Sequence, residues 1–454
     1  MTSSEPDYGP AGEAKLCAFV QAQTGGQILS MVRQVRWRPA WFVDVLCHGK
    51  VMHLHLRGDR GGDVAIFPEL QRESDVIEVL GAHGVMVPRI YGFCQDPPCI
   101  LMDALPGSRN VKEAASDAER SAIAREYMAQ VAKMHQAPLL PFVAKGLHLP
   151  QGAKEIALVG LEAYLPLYQR TKSRPEPMLE FVMGWICRNV PTHRTQAAFV
   201  QFDSGQFHFQ DGKLTGLYDF EFSMIGDPMV DIATMRMRNS IEPLGDDLRV
   251  LCRHYEEFSG QLVDHEVVDF YTLLFATLGA MQFTGTVGVP RPGDAHSVYL
   301  EFDLALRQVI LLALSTLMGV TLVPEPPPTP RVGDNAALLA KLADTVARID
   351  TPTAFEQSKK ESAAQLMEWL VRSDAMGEEM RQRDLADLSA LLGQTFHELP
   401  EANAALEGFV RLAGPAHDVP LLHLFSALEG RRLQLFGPTK IGHSATHVGM
   451  PPTR

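Results

Sequence analysis

Two short β-patterned runs around one tight turn constrain this 454-residue chain more than any other feature of its sequence. The runs are residues 206–209 and 214–218, and the Asp-Gly pair at 211–212 between them is typical of a two-residue hairpin turn. Asp203 precedes the first run and Asp219 follows the second. An antiparallel hairpin brings its open ends together, with strands about 4.8 Å apart. We therefore expect the two carboxylates to share one acidic site.

Gln206 opens the first strand of the predicted hairpin and adds an amide oxygen to this site. Two carboxylates and an amide oxygen suit a hard cation such as Mg²⁺, and one carboxylate would remain to orient a hydroxyl group. The residue types around the hairpin therefore indicate a magnesium site with a carboxylate beside it.

The segment from residue 199 to residue 231 resembles the catalytic and metal-binding region of the aminoglycoside phosphotransferase-like (protein-kinase-like) family. That family carries His-Gly-Asp, four residues, Asn, a hairpin, then Ile-Asp-Phe/Trp-Glu and Gly-Asp-Pro-x-x-Asp. Residues 215–233 match the second half closely, with the sequence TGLYDFEFSMIGDPMVDIA. In the first half, Gln201-Phe202-Asp203 replaces His-Gly-Asp, Gln206 replaces Asn, and the loop between them is two residues shorter. The resemblance covers roughly residues 1–320.

The resemblance implies an α+β, bilobal protein-kinase-like fold with a small β-rich N-lobe and a mostly helical C-lobe. The N-lobe would span residues 1–104 and the C-lobe residues 105–323. Hydrophobic patterning agrees with the N-lobe order of three strands, one helix and two strands. These elements are predicted at residues 28–37, 41–47, 51–57, 68–80, 86–93 and 99–102, after a first helix at 13–23.

The family resemblance also assigns roles to individual residues. In that family a basic residue of the third strand, paired with a Glu of the next helix, holds the nucleotide phosphates, and Arg57 and Glu73 occupy these places. By residue type alone they would be a surface Arg and an ordinary helical Glu; the downstream motif favours the functional role, and Arg binds phosphate well. The remaining implied roles are a catalytic residue, Asp203; two magnesium ligands, Gln206 and Asp219; and a hinge that binds ATP or another nucleoside triphosphate, Met102, Asp103 and Ala104.

One family feature, the glycine-rich loop, is absent, and several other residues are expected to have structural instead of catalytic roles. The glycine-rich phosphate loop has no counterpart between the first two strands, where Arg38-Pro39-Ala40 lies. We expect His135 to be a packed core residue, and Asp227 and Asp231 to brace the catalytic loop, with Arg236 and Arg238 pairing with them or meeting an anionic substrate. C-lobe helices are predicted at residues 113–135, 175–189, 231–237, 248–259, 266–280 and 298–317.

A proline-rich segment, residues 324–331, marks the predicted end of the kinase-like part, because consecutive prolines favour an extended spacer. Residues 332–454 have no chemical motif, and their apolar spacing predicts a helical accessory domain. We expect this domain to pack on the kinase-like body or on another subunit, as in a homodimer. Its predicted helices are residues 336–349, 353–373, 376–396, 402–412 and 420–434, before a tail at 437–454.

Composition excludes several classes of protein. The formal net charge of −13 disfavours nucleic-acid binding, which needs clustered Lys and Arg. No apolar run reaches about 18 residues, so no membrane span is predicted. The N-terminus has no basic region followed by an apolar core, and the six cysteines are scattered. These features predict a cytoplasmic protein with reduced thiols.

Two functions from different classes remain. The first is an ATP- and Mg²⁺-dependent kinase, a phosphotransferase acting on a hydroxyl group of a small molecule. An aromatic or acyl hydroxyl compound is favoured over an aminoglycoside, because the C-lobe offers few extra carboxylates for a polycation. The second is a pseudokinase or a nucleotide- or ligand-binding partner subunit. Gln201, Phe202, the shortened loop and the missing glycine loop favour the second.

Overall fold

A computed structural model describes residues 6–34, 38–59, 65–67, 69–292 and 296–437, without the side chains at 354 and 355. The end of the predicted first strand at 35–37, the predicted helix start at 68 and the predicted tail from 438 onward lie outside the described residues. Within the described part, a β-rich N-terminal region precedes a long run of helices, as the sequence predicts for an α+β chain.

A five-stranded antiparallel sheet forms the N-terminal region, with the strand order β1-β2-β3-β5-β4. The predicted fourth strand begins at Ile90 instead of residue 86, because Pro88 has no N–H group to join a ladder. The five strands are β1 (Gln27–Arg33), β2 (Ala40–Cys47), β3 (Lys50–Gly58), β4 (Ile90–Gln95) and β5 (Pro98–Asp103).

One helix covers each face of this sheet. On the first face, α1 (Pro10–Thr24) packs Leu16 and Val20 into a core that includes Trp41. On the second face, α2 (Leu70–Ala82) packs against β5 through Leu70, Ile100 and Met102. Residues opposite each other in neighbouring strands share a face, and Arg57 lies opposite Ile100. The register therefore places Arg57 on the face that α2 covers.

Four helices follow the sheet: α3 (Asp117–His135), α4 (Leu140–Ala144), α5 (Gly152–Thr171) and α6 (Pro177–Arg188). The predicted helix from 113 starts at Asp117, because Ser116 caps it by accepting a hydrogen bond from the Glu119 amide. No sequence pattern above predicted α5, whose interior Pro166 lowers its helix propensity.

The predicted hairpin is present and consists of β7 (Phe207–Gln210) and β8 (Lys213–Leu217). Asp211 and Gly212 both have positive φ angles, 50° and 72°, as a primed two-residue turn requires. A second antiparallel pair flanks it, formed by β6 (Ala198–Val200) and β9 (Met224–Gly226). The two pairs bring residues 201–206 and 218–223 to the same end of the hairpin.

The remaining helices follow the predictions closely, with one correction. Two predicted helices, 353–373 and 376–396, form one 39-residue helix, because Asp374 and Ala375 do not break it and Thr353 and Glu356 make a capping box at its start. The helices are α7 (Met229–Asn239), α8 (Leu248–Ser259), α9 (His265–Gly288), α10 (His296–Met318), α11 (Ala336–Ala347), α12 (Ala354–Leu392), α13 (Leu399–Leu412) and α14 (Asp418–Phe436).

The chain divides into two compact units. The first contains the described residues up to 160 and residues 191–268, and so holds the sheet and the hairpin. The second contains residues 161–190 and the described residues from 269 onward, so α6 and α10 share it with the C-terminal helices. The proline-rich segment belongs to the second unit, where Glu325 pairs with Arg431 at 2.8 Å and accepts a hydrogen bond from Gln434.

Among the described residues, one helix, α9, is long and apolar enough to cross a membrane. Of its most apolar window, 78% is buried inside the protein, as in a core helix.

A buried ion cluster holds the second unit together and yields a stability prediction. The side chain of Arg307 is 3% exposed and contacts three carboxylates, Asp303 at 3.0 Å, Glu176 at 2.7 Å and Glu429 at 3.2 Å. Arg307→Met would leave these buried carboxylates without that cation, which costs about 3–5 kcal/mol. We expect a clearly lower urea midpoint by circular dichroism. The exposed control Arg348→Met should shift stability by less than about 0.5 kcal/mol, and equal effects of the two would contradict the assignment.

The difference in unfolding free energy between the wild type and Arg307→Met should depend on pH, and this dependence tests the same cluster. Burial acts to raise the pKa of the Glu176 carboxyl, but Arg307 and Arg174 overcome burial and lower it to about 2. Because this pKa lies below the unfolded value of about 4.3, the stabilisation is present above that pH and is lost as the pH falls toward 2. The difference between wild type and Arg307→Met should shrink over this window. A difference that stays constant would contradict the ion pair's contribution.

Candidate active site

The open end of the hairpin brings together the polar residues that the sequence singled out. Beyond the last β7–β8 pair, the Tyr218 amide donates to the Gln206 carbonyl at 3.1 Å and extends the ladder. The Gln206 side chain donates to the Asp203 carboxylate at 3.0 Å. Asp219 follows Tyr218 with a φ angle of 68°. This left-handed conformation turns the chain sharply at the end of β8.

Asp203, the predicted catalytic residue, is held from two sides. One carboxylate oxygen accepts from Gln206, and the other accepts from Arg238 at 2.6 Å. Arg238 lies on α7, and it also donates to the Ser204 carbonyl at 3.0 Å and to Glu242 at 3.0 Å. The sequence left open whether Arg238 meets Asp227 and Asp231 or a substrate; in the structure it pairs with Asp203.

Gln201 occupies the place of the family's His and ties two segments together. Its side chain is fully buried and donates to the Tyr218 carbonyl at 2.7 Å and to the Asp219 carbonyl at 3.3 Å. The side-chain amide of Gln has N–H groups, so it can donate the hydrogen bonds that join this position to the two carbonyls. The substitution therefore keeps the loop before β7 joined to the segment after β8.

Phe202 occupies the place of the family's Gly, in a conformation that glycine adopts more easily. Its φ angle is 68°, and its side chain is 1% exposed. A left-handed residue with a side chain costs about 1–2 kcal/mol. The buried Asp231 carboxylate accepts from the Phe202 amide at 2.8 Å and from the Gln201 amide at 2.9 Å. These bonds, with packing around the ring, hold the strained loop in place.

Asp231 is in turn fixed by the core. His135 of α3 contacts the Asp231 carboxylate through Nε2 at 2.9 Å and the Tyr255 hydroxyl through Nδ1 at 2.9 Å. Asp227 forms a two-bond ion pair with Arg194, at 2.8 and 2.9 Å, and accepts from the Met229 amide. Both carboxylates thus brace the backbone around the site.

Arg57 connects the sheet, α2 and the segment after the hairpin. Its Nε donates to the Glu73 carboxylate at 3.0 Å, which is the predicted Arg–Glu pair, and its Nη2 forms an ion pair with Asp219. The other oxygen of Glu73 accepts from the Phe220 amide at 3.0 Å. Arg57 is 6% and Glu73 3% exposed, so this connection is shielded from water.

Two site residues were missed by the sequence reasoning. Arg38, which was interpreted only as part of a strand break, is 4% exposed and forms an ion pair with Glu221. Glu221 stands in the Asp-Phe-Glu motif two residues after Asp219, and that motif was the available signal for it. Arg57 also lies 4.0 Å from Glu221. The described site therefore contains more charged groups than the predicted set.

The hinge residues lie at the end of β5 beside β3. The Ala104 amide donates to the His53 carbonyl at 3.0 Å, and the Asp103 amide donates to the Arg89 carbonyl at 3.0 Å. Met102 is buried and lies opposite His55 in the sheet. Both amides already have backbone partners, so neither is available to a nucleoside base in this conformation.

The predicted metal ligands fit Mg²⁺ in chemistry but are engaged by protein groups here. Among the described residues, no group of three or more His, Cys, Asp or Glu side chains is arranged to hold a metal ion. Mg²⁺ commonly takes only one or two carboxylates, with phosphate oxygens and waters completing its shell. Asp219 and the Gln206 amide oxygen meet this requirement. Asp219 would have to exchange Arg57 for the cation.

Comparison with known proteins agrees with this geometry. Residues 62–271 match the APH model, described as the phosphotransferase enzyme family. The human acyl-CoA dehydrogenase family member 11 is 23% identical over 177 residues, covering 36% of this chain and 22% of that protein. The acyl-CoA dehydrogenase-type protein IBR3 of Arabidopsis thaliana is 23% identical over 185 residues, with the same coverages. The chain thus spans about a fifth of the length of these curated relatives.

A solved structure shows the same fold. A protein of Ralstonia eutropha JMP134, classed with the aminoglycoside phosphotransferases, aligns with a TM-score of 0.52 and 18% identity. The alignment covers 68% of this chain and 99% of that chain. At this identity the likeness establishes the fold alone, and it confirms the kinase-like architecture. The match of residues 62–271 to the phosphotransferase enzyme family model APH agrees with the resemblance that the sequence motifs show.

Proposed function

We propose that the protein is an ATP-dependent phosphotransferase that phosphorylates a hydroxyl group of a small molecule. One observation carries the proposal: a buried arginine, Arg57, links Glu73 of α2 to Asp219 beyond the hairpin. Under this proposal, Arg57 is the cation that would bind phosphate, and its partner Asp219 is the carboxylate that would bind the metal. The family match over residues 62–271 supports the same chemistry.

The chain's own residues supply what phosphoryl transfer requires, which is mostly positioning and charge neutralisation. Arg57, oriented by Glu73, would bind phosphate oxygens of the nucleotide. Asp219 and Gln206 would hold Mg²⁺, which neutralises charge on those phosphates when it is bound. Asp203 would accept a hydrogen bond from the acceptor hydroxyl and receive its proton. Arg238 keeps the Asp203 carboxylate oriented and partly neutralised.

The acceptor that fits best is an aromatic or acyl hydroxyl compound. Asp203 is paired with Arg238, so the carboxylate nearest the acceptor would not offer a bare negative charge to a polycationic aminoglycoside. The names of the curated relatives also point toward acyl compounds. The test is a screen for Mg²⁺-dependent ATP consumption against hydroxylated metabolites, with phosphorus NMR to identify the phosphorylated product.

A second candidate is a pseudokinase or a ligand-binding partner subunit. It is favoured by the ion pairs that occupy both key carboxylates, Arg238 with Asp203 and Arg57 with Asp219. Failure to consume ATP with any acceptor, together with metal-independent nucleotide binding, would support this candidate over the enzyme.

Asp203→Asn tests the catalytic assignment. The amide cannot receive the hydroxyl proton, and losing one such group typically slows a reaction by about 10²- to 10⁴-fold. We expect this loss in kcat, with ATP affinity nearly unchanged because Asp203 does not hold the nucleotide. The matched control is Asp117→Asn, whose side chain is 94% exposed on α3. Near-normal turnover in Asp203→Asn would contradict its role.

Asp219→Ala tests the metal assignment through binding instead of turnover. In the wild type, Mg²⁺ should tighten ATP binding in calorimetric titrations. In Asp219→Ala this dependence should disappear, while metal-free ATP should bind at least as tightly as in the wild type, because Arg57 loses one of its carboxylate partners. Asp117→Ala should behave as the wild type. Equal ATP affinities with and without Mg²⁺ in every protein would contradict the assignment.

A further inference from the structure

Arg38, which lies two residues before β2, is buried. Arg38 pairs with Glu221 through Nη2, and its Nη1 lies 3.5 Å from Oε2 of Glu73. Arg57 donates to the same Oε2 at 3.0 Å. Two guanidinium groups thus converge on one carboxylate oxygen, next to the predicted phosphate-binding arginine.

Within the described part of the chain, three guanidinium nitrogens around this point make no hydrogen bond. Arg38 Nε, Arg38 Nη1 and Arg72 Nη1 are buried and donate no hydrogen bond to any residue that the structure describes. Buried N–H groups of a charged side chain are strongly unfavourable without acceptors, so native proteins normally satisfy them. Their convergence indicates a place for a ligand rich in acceptor oxygens.

A small cavity lies where these donors meet. Its walls carry two arginines, four carboxylates and apolar residues: Arg38, Arg72, Asp59, Glu69, Glu73, Glu221, Phe67, Leu70 and Ala65. The Arg72 guanidinium stacks on the Phe67 ring at 3.7 Å and donates to the Ser223 carbonyl at 2.5 Å, so its position is fixed. Burial lowers the pKa of Arg72 to about 10, with only Glu73 acting against it. Arg72 is therefore a half-buried cation whose buried Nη1 donates to no residue that the structure describes.

We propose that Arg38 and Arg72 form a phosphate-binding subsite that works with Arg57 and replaces the glycine-rich loop this chain lacks. The proposal rests on the phosphotransferase function proposed above. The sheet register supports it, since Ala40 lies directly opposite Arg57 and so brings the end of the β1–β2 turn to that residue. Guanidinium forks bind phosphate oxygens in pairs, so side chains here do what backbone amides do in a glycine loop.

The test separates phosphate binding from folding by using nucleotides that differ only in their phosphates. ATP, ADP and AMP are titrated calorimetrically, with Mg²⁺ present, into the full-length wild type, Arg38→Met and Arg72→Met. We expect ATP and ADP to bind each variant about 10- to 100-fold more weakly, which is the usual effect of losing hydrogen bonds to a charged group. AMP affinity should change by less than about 3-fold, because the subsite contacts the phosphates beyond the first.

A matched control removes an arginine from the opposite face of the same sheet. Arg33 is exposed, and it lies opposite Trp41, which is packed against α1. Arg33→Met should leave the affinities of all three nucleotides unchanged. If Arg38→Met does not fold, Arg38→Lys serves instead, since it keeps the charge and loses the fork; it should also weaken ATP more than AMP.

The possible outcomes are distinct. Unchanged ATP affinity in Arg38→Met and Arg72→Met, or a parallel loss for ATP, ADP and AMP, would overturn the subsite while leaving the proposed function intact. A wild type that binds none of the three nucleotides would overturn both. A selective loss of ATP and ADP binding in both variants is the result that the subsite predicts.

Discussion

The guanidinium of Arg57 is the connection on which the rest of the site depends. It joins β3 to α2 through Glu73 and to the segment after β8 through Asp219, a residue 162 positions away in the chain. Glu73 extends the connection by accepting the Phe220 amide. A single buried side chain thereby fixes the sheet, one helix and the end of the hairpin relative to one another. Because Arg57 and Glu73 are buried, removing Arg57 would take this cation away from Asp219 and leave Glu73 with only the longer ion-pair contact to Arg38, which is destabilising.

A second connection fixes the loop before the hairpin. The buried Asp231 carboxylate accepts from two consecutive backbone amides, and His135 and Tyr255 hold it in place. This explains how the chain tolerates Phe202 in a left-handed conformation, where a glycine would be unstrained. The loop therefore keeps a defined conformation although its residues depart from the family motif. Part of its stabilisation comes from the core residues Asp231, His135 and Tyr255 instead of from the loop itself.

The charges of the site are balanced within the protein in the absence of ligands. Arg57 neutralises Asp219, Arg238 neutralises Asp203, and Arg38 neutralises Glu221. Under the proposed function, a nucleotide with Mg²⁺ exchanges these partners, since the phosphates take arginines while the cation takes Asp219. Such an exchange costs little electrostatic energy because each group leaves one opposite charge for another.

Local patterns in the sequence predicted the local parts of this site. The Asp-Gly turn predicted the hairpin and the proximity of Asp203 and Gln206, and the family resemblance implied the Arg57–Glu73 pair. The pairing of Arg238 with Asp203 was not predicted, because α7 carries two arginines, Arg236 and Arg238, and periodicity does not decide which carboxylate each of them meets.

Two further misses have different physical origins. Arg38 was missed because its partner lies 183 residues away and the intervening register is set by the fold. The merging of two predicted helices into α12 depended on Asp374 and Ala375, whose weak break signal the flanking helix formers override. Roles that arise from long-range contacts require the structure, whereas turns and strand faces do not.

The exchange of partners at Arg57 is the central claim, and one measurement tests it most directly: a crystal structure of the full chain with Mg²⁺ and a non-hydrolysable ATP analogue. The account predicts that Asp219 then ligates the metal, that Arg57 contacts a phosphate oxygen, and that the Arg57–Glu73 pair is retained. A structure in which the Arg57–Asp219 ion pair persists while the analogue binds elsewhere, or does not bind, would contradict it.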